Sequence, residues 1–202
     1  MQPQEQSSPA EEQESIQYYV LEGLFPATHV FALNLALGTF LHLYWEERLP
    51  YPLVLGEQQL TERERDLLRP RLSHYPQFAP YEIIYASYFE GFDRLSEPLI
   101  AQAQAKLEML REEKLWDAEM RPLRNVMARL RLKVRGLGLD TVNMLETGYM
   151  LIKNPKWRSP WRRGMHQDER SYSFGTGIAR TRDAISQVLD ERKAGQTRSI
   201  LH

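Results

Sequence analysis

Residues 121–152 read RPLRNVMARLRLKVRGLGLDTVNMLETGYMLI, with six Arg or Lys in the first fifteen positions and none in the rest. Leu123, Met127, Leu130 and Val134 recur at i, i+4, i+7 and i+11, the spacing of one buried helix face. At about 100° per residue, Arg121, Arg124, Asn125, Ala128, Leu132 and Arg135 point away from that face. Arg129 and Arg131 flank it. Gly-Leu-Gly-Leu at 136–139 ends the helix, and LDTVNMLETGYMLI then reads as a two-stranded hairpin turning around NMLETG. The segment predicts a helix over 121–135 with cations on its outward side, followed directly by a hairpin.

The net charge of −1 conceals a strong asymmetry along the 202 residues. Residues 1–120 hold 9 Lys and Arg against 20 Asp and Glu, whereas residues 121–163 hold 11 against 2. A block this one-sided inside an acidic chain points to a polyanionic partner such as nucleic acid. The chain has no cysteine, which excludes disulfide frameworks, thiolate zinc sites and cysteine nucleophiles. Its start, MQPQEQSSPAEEQES, is polar and acidic and lacks the basic-then-apolar pattern of a signal peptide. A cytoplasmic protein is expected.

Residues 23–45, GLFPATHVFALNLALGTFLHLYW, run without a charged side chain for long enough to span a bilayer. Phe31, Leu33, Leu35 and Leu37 alternate with Ala32, Asn34 and Ala36, however, and Gly38-Thr39 breaks the run. That period of two predicts antiparallel strands near 30–37 and 39–46 rather than a membrane helix. LPYPLVLGEQQL supplies a third strand, and ESIQYYVLEGLF an edge strand or a short helix. LTERERDLLRPRL opens a helix in which Thr61 and Glu64 have capping-box spacing and Pro70 should kink or end the helix. A second helix follows Pro80 in APYEIIYASYF. A third follows Ser96, with Ile100, Ala103, Leu107 and Leu110 as its apolar stripe. Residues 1–16 read as an acidic tail, 17–152 as one domain, and 153–202 as a basic arm and tail with a last helix at 178–193.

Catalytic signatures are weak. The five histidines form no metal-ligand pair, and His29 and His42 read as core-edge or surface residues within the strands. FGTGIAR has two glycines of a phosphate-binding turn, but Arg180 stands where a third belongs. No metal or other cofactor and no catalytic residue is expected. The helix and hairpin at 121–152 are different, because a major groove admits one α-helix whose outward side chains meet base edges while flanking cations hold phosphates.

ARLRLKVRGLGLDTVNMLETGYMLI resembles the end of winged-helix effector domains of the OmpR/PhoB response-regulator type. There a helix ending in Leu-Arg-x-Lys-Leu precedes a wing closing on Gly-Tyr; Leu130-Arg131-Leu132-Lys133-Val134 and Gly148-Tyr149 fill those patterns. LTERERDLL is similar to the family's first helix, and FALNLALGTFLHLYWEERLPYPLVLGEQQLT resembles its amino-terminal antiparallel sheet, a version shared with bacterial transcriptional activators. The matches span residues 30–152. The resemblance implies an α+β winged helix-turn-helix with an N-terminal antiparallel sheet and a C-terminal β-hairpin wing. Three departures accompany it. Residues 89–120 insert a whole helix between the second and recognition helices, where some family members contact RNA polymerase. Leu145-Glu146-Thr147 replaces the wing's usual Arg-Gly-x. About 29 residues precede the sheet, too few for a receiver domain.

The expectation is therefore a sequence-specific double-stranded DNA-binding protein, a transcriptional regulator. Arg124, Asn125 and Ala128 would face bases, and Arg121, Arg129, Arg131, Lys133 and Arg135 phosphates. Lys153, Lys156, Arg158, Arg162 and Arg163 would form an arm along the backbone, able to replace the altered wing. Further expected partners are RNA polymerase or another protein through 89–120, and a second copy in a homodimer, with no membrane. The alternative is a non-catalytic protein-interaction or adaptor module on the same scaffold.

Overall fold

The computed structural model describes residues 16–158 apart from 47, 50 and 146. Four antiparallel strands come first, β1 (Ile16–Tyr19), β2 (His29–Asn34), β3 (Thr39–Tyr44) and β4 (Leu53–Gln59), in the spatial order β1-β2-β3-β4. Alternation in β2 sends Phe31 and Leu33 into the main core beside Phe40 of β3. Val30 and Ala32, on the opposite face, are buried with Val20, Leu43 and Trp45 in a smaller cluster. Both faces of the sheet are covered, which explains the long uncharged run. The turn into β3 uses Gly38 at φ 68, where a Cβ would lie 2.8 Å from the Leu60 carbonyl oxygen. Residues 16–19 form the edge strand, settling the strand-or-helix alternative at this segment.

Helix α1 (Glu62–His74) begins with the capping box read from the sequence, Thr61 accepting from the Glu64 amide and Glu64 from the Thr61 amide. Pro70 does not end it. Proline removes the amide that would bond the Asp66 carbonyl, and the Ser87 hydroxyl donates to that carbonyl instead. A partner on the next helix satisfies the orphaned acceptor, so α1 continues for one more turn.

The two-residue strand β5 (Ala79–Pro80) leads into α2 (Tyr81–Glu90), a single 3-10 turn (Phe92–Arg94), α3 (Glu97–Glu112) and α4 (Trp116–Gly136). Strands β6 (Leu139–Met144) and β7 (Gly148–Lys153) form the hairpin, and β7 also pairs with β5. Gly148 lies against the backbone of β5: a Cβ there would collide with the Ala79 carbonyl, so this close approach needs glycine. Its neighbour Tyr149 is buried edge-on to Tyr81, 5.5 Å between ring centroids. These elements, sheet, helices and terminal hairpin, have the winged helix-turn-helix layout, with α3 inserted between the second helix and the recognition helix α4.

Helix α4 starts at Trp116, earlier than the expected 121, and passes through Pro122. The carbonyl that Pro122 leaves unbonded belongs to Ala118, which is exposed to water. Leu123, Met127, Leu130 and Val134 are buried as expected, joined by Met120. In α3, Ala103, Leu107 and Leu110 are buried in the same core. The inserted helix uses its apolar stripe to close its own domain.

Candidate nucleic-acid interface

Burial of the Met120-to-Val134 stripe leaves the opposite side of α4 to solvent. Arg121, Arg124, Asn125, Ala128 and Arg129 are all exposed there. Ala128 sits among the longer side chains, and its small size lets another surface approach the helix closely. Leu132, also on this side, is 69% exposed. Among the described residues Arg121 and Arg129 enter no ion pair. Arg124 donates from Nη1 to Asp117 Oδ1 at 2.9 Å.

The other three cations of the helix are paired with carboxylates on other elements. Arg131 Nε lies 2.6 Å from Asp140 Oδ1, and Arg135 Nη2 lies 2.9 Å from Asp140 Oδ2. Asp140 is buried at the start of β6. Burial opposes its charge, but hydrogen bonds from Arg131, Arg135 and the Thr141 amide hold its carboxyl below the ordinary range. Lys133 Nζ lies 2.6 Å from buried Glu64 and 2.8 Å from the Gln59 carbonyl. It therefore ties α4 to the capping box of α1 and to the end of β4. Both guanidiniums remain about two-fifths exposed, at 43% and 41% for the side chains, so each keeps N–H groups that face solvent.

The amino-terminal end of α4 is braced from two sides. Tyr81 is edge-on to Trp116 at 5.3 Å and donates its hydroxyl to Asn143 of β6 at 2.6 Å. This connects the start of α4 to the hairpin. Glu119 accepts from the Tyr85 hydroxyl at 2.6 Å and from Lys106 Nζ at 2.9 Å, and Arg111 lies over the Trp116 ring. Two of the inserted helix's cations thus hold the recognition helix. Sequence periodicity gave no sign of this role, because each partner lies on another element.

Lys153, Lys156 and Arg158 are exposed, as a basic surface requires. Lys153 ends β7, roughly 17 Å along the strand from Gly148 beside the hairpin tip. The segment after it folds back under α4: Asn154 donates its amide to Gly138 at 2.8 Å and its side-chain nitrogen to Arg135 at 3.2 Å. Trp157 packs on Gly138, where a Cβ would come within 2.7 Å of the indole. These three cations lie at the base of the hairpin beside the carboxyl end of α4, away from the hairpin tip. At that tip Leu145 is 90% exposed and Met144 38%. Arg162, Arg163 and the helix expected at 178–193 lie outside the described residues.

Trp157 also covers a histidine pair. His42 is fully buried, against the surface or core-edge position expected of it, and its Nε2 lies 2.8 Å from Nδ1 of half-buried His29. The ring stacks on Phe31 at 4.2 Å. Burial, then the neighbouring His29, pushes the His42 pKa down to about 3, so the ring is neutral near pH 7. Among the described residues no three His, Asp or Glu side chains converge for a metal ion. No helix among them is long and apolar enough to cross a membrane.

Compared with models of known families, with curated proteins and with solved structures, the chain matches none.

Proposed function

We propose that this protein binds double-stranded DNA in a sequence-specific way through the outward face of α4 and acts as a cytoplasmic regulator of transcription. One observation carries the reading. Arg121, Arg124 and Arg129 project from the recognition helix of a winged-helix layout, around Ala128, while the opposite stripe of the same helix is buried. A major groove about 12 Å wide accepts such a helix. Arg124 and Asn125 reach base edges, with Ala128 permitting close approach. Arg121 and Arg129 hold phosphates, and Arg131 and Arg135 offer their remaining N–H groups to the backbone from fixed positions. Lys133, tied to Glu64, acts mainly in the fold. Lys153, Lys156 and Arg158 extend the cationic surface at the carboxyl end of the helix.

A non-catalytic protein-docking module is the second reading, favoured by exposed Leu132 on α4 and Leu145 on the hairpin. Titration of the full chain with random-sequence duplex across a range of salt separates the two. With five phosphates neutralised, log K falls against log salt with a slope of about −4 or steeper. A slope near zero overturns the DNA reading.

A further inference from the structure

We propose that Asp117 is a positioning residue that holds the Arg124 guanidinium so that it reads a guanine. The proposal rests on the DNA reading of α4 and names its specificity-determining pair. Asp117 and Arg124 are seven residues apart, about 10.5 Å along the axis and within about 20° around it. Their contact therefore requires Arg124 to extend toward the amino-terminal end of the helix, the end from which recognition helices contact bases.

The contact uses Nη1 of Arg124, at 2.9 Å from Asp117 Oδ1. That leaves Nε–H and Nη2–H as a free parallel fork. The fork matches the two acceptors O6 and N7 that guanine alone presents in the major groove. An arginine without such a brace samples many rotamers and loses side-chain entropy on binding, so a fixed fork binds its base with better discrimination.

Asp117 is also out of place on electrostatic grounds. The other carboxylate of α4, Glu119, is turned to Tyr85 and Lys106. Asp117 is the one acidic side chain on the outward face of this helix among the described residues, and its side chain is 83% exposed. A carboxylate there repels phosphate and weakens binding to DNA of every sequence. An orienting role gives it a function on that face. A competing account is that Asp117 only complements the helix dipole in the first turn of α4. That account makes its effect independent of Arg124.

The test uses the full chain and duplexes selected from a random pool. The wild type is expected to require a guanine at one position. Asp117→Asn lowers the preference for that guanine over the other bases about tenfold, leaves preferences elsewhere intact, and keeps or strengthens binding to random duplex. In the Arg124→Ala background the same substitution has no effect on that position. An unchanged preference, a uniform loss at all positions, or an effect that persists without Arg124 overturns the inference while leaving the DNA reading in place. Salt-independent or absent duplex binding by the wild type overturns both.

Discussion

Arg121, Arg124 and Arg129 on one part of α4, and Arg131, Lys133 and Arg135 on the next, look alike in sequence but differ in their neighbours. The first three have at most one exposed partner, Asp117. The last three are bound to two buried carboxylates, Asp140 and Glu64, that lie on other elements. Buried carboxylates need compensating partners, whereas exposed arginines do not, so part of the cationic block is spoken for by the fold. A count of positive charge overstates what remains for a polyanion. The teaching of the contrast is that charge density marks the helix, and burial of the counter-charges decides which of its cations are available.

The largest effect is expected beneath both sets. Met127 is 5% exposed on the inward stripe, and Met127→Ala should cost about 2–5 kcal/mol through lost burial and a residual cavity. Chemical denaturation measures this; a cost below about 1 kcal/mol would mean that the stripe is not core. Next is the carboxylate that separates the two sets. Asp140→Ala removes the shared acceptor of Arg131 and Arg135 and leaves the buried Thr141 amide without it. A loss of about 1–3 kcal/mol is expected, because both arginines can turn to water. The Asp140 pKa is lowered, so this contribution is present at neutral pH and fades as acid carries the solution through that value.

A third prediction concerns the site where the carboxyl end of α4 meets the sheet. The pKa of His42 is depressed from 6.5 to about 3, so between those values the unfolded chain binds a proton that the folded protein excludes. Stability should fall as pH drops through this window, by up to about 1.4 kcal/mol per pH unit from this group. His42→Leu should remove that part of the slope between pH 6 and pH 4. An identical slope in the variant would show that the buried ring is not the group responsible. The smallest effect belongs to the free set: Arg129→Ala should change stability by less than about 0.5 kcal/mol, checked by the same denaturation assay. A loss as large as that of Asp140→Ala would erase the distinction between the two sets.

What could be read from the sequence was local. The Thr61 and Glu64 capping box needs only three residues of spacing, and the Leu123-to-Val134 stripe one helix. Gly148-Tyr149 marked the hairpin as a two-residue motif of the family it resembles, and its glycine lies against the Ala79 backbone. The features that the sequence did not show depend on partners far along the chain. Ser87, 21 residues from Asp66, lets α1 continue past Pro70. Glu64, 69 residues from Lys133, holds that lysine in an ion pair that no spacing along α4 reveals. Trp157 anchors the start of the segment read as a basic arm, through the bare face of Gly138. Periodicity reports which side of a helix is apolar. It carries no information on which distant carboxylate or ring will meet the polar side.

The most direct measurement is the salt dependence of duplex binding by the wild type and by the double variant Arg121→Gln, Arg129→Gln. If α4 meets DNA through its unpaired cations, the slope of log K against log salt should become shallower by about two, and the melting temperature should stay within a few degrees of the wild type. An unchanged slope in a folded variant would contradict the account, placing any DNA contact elsewhere on the protein.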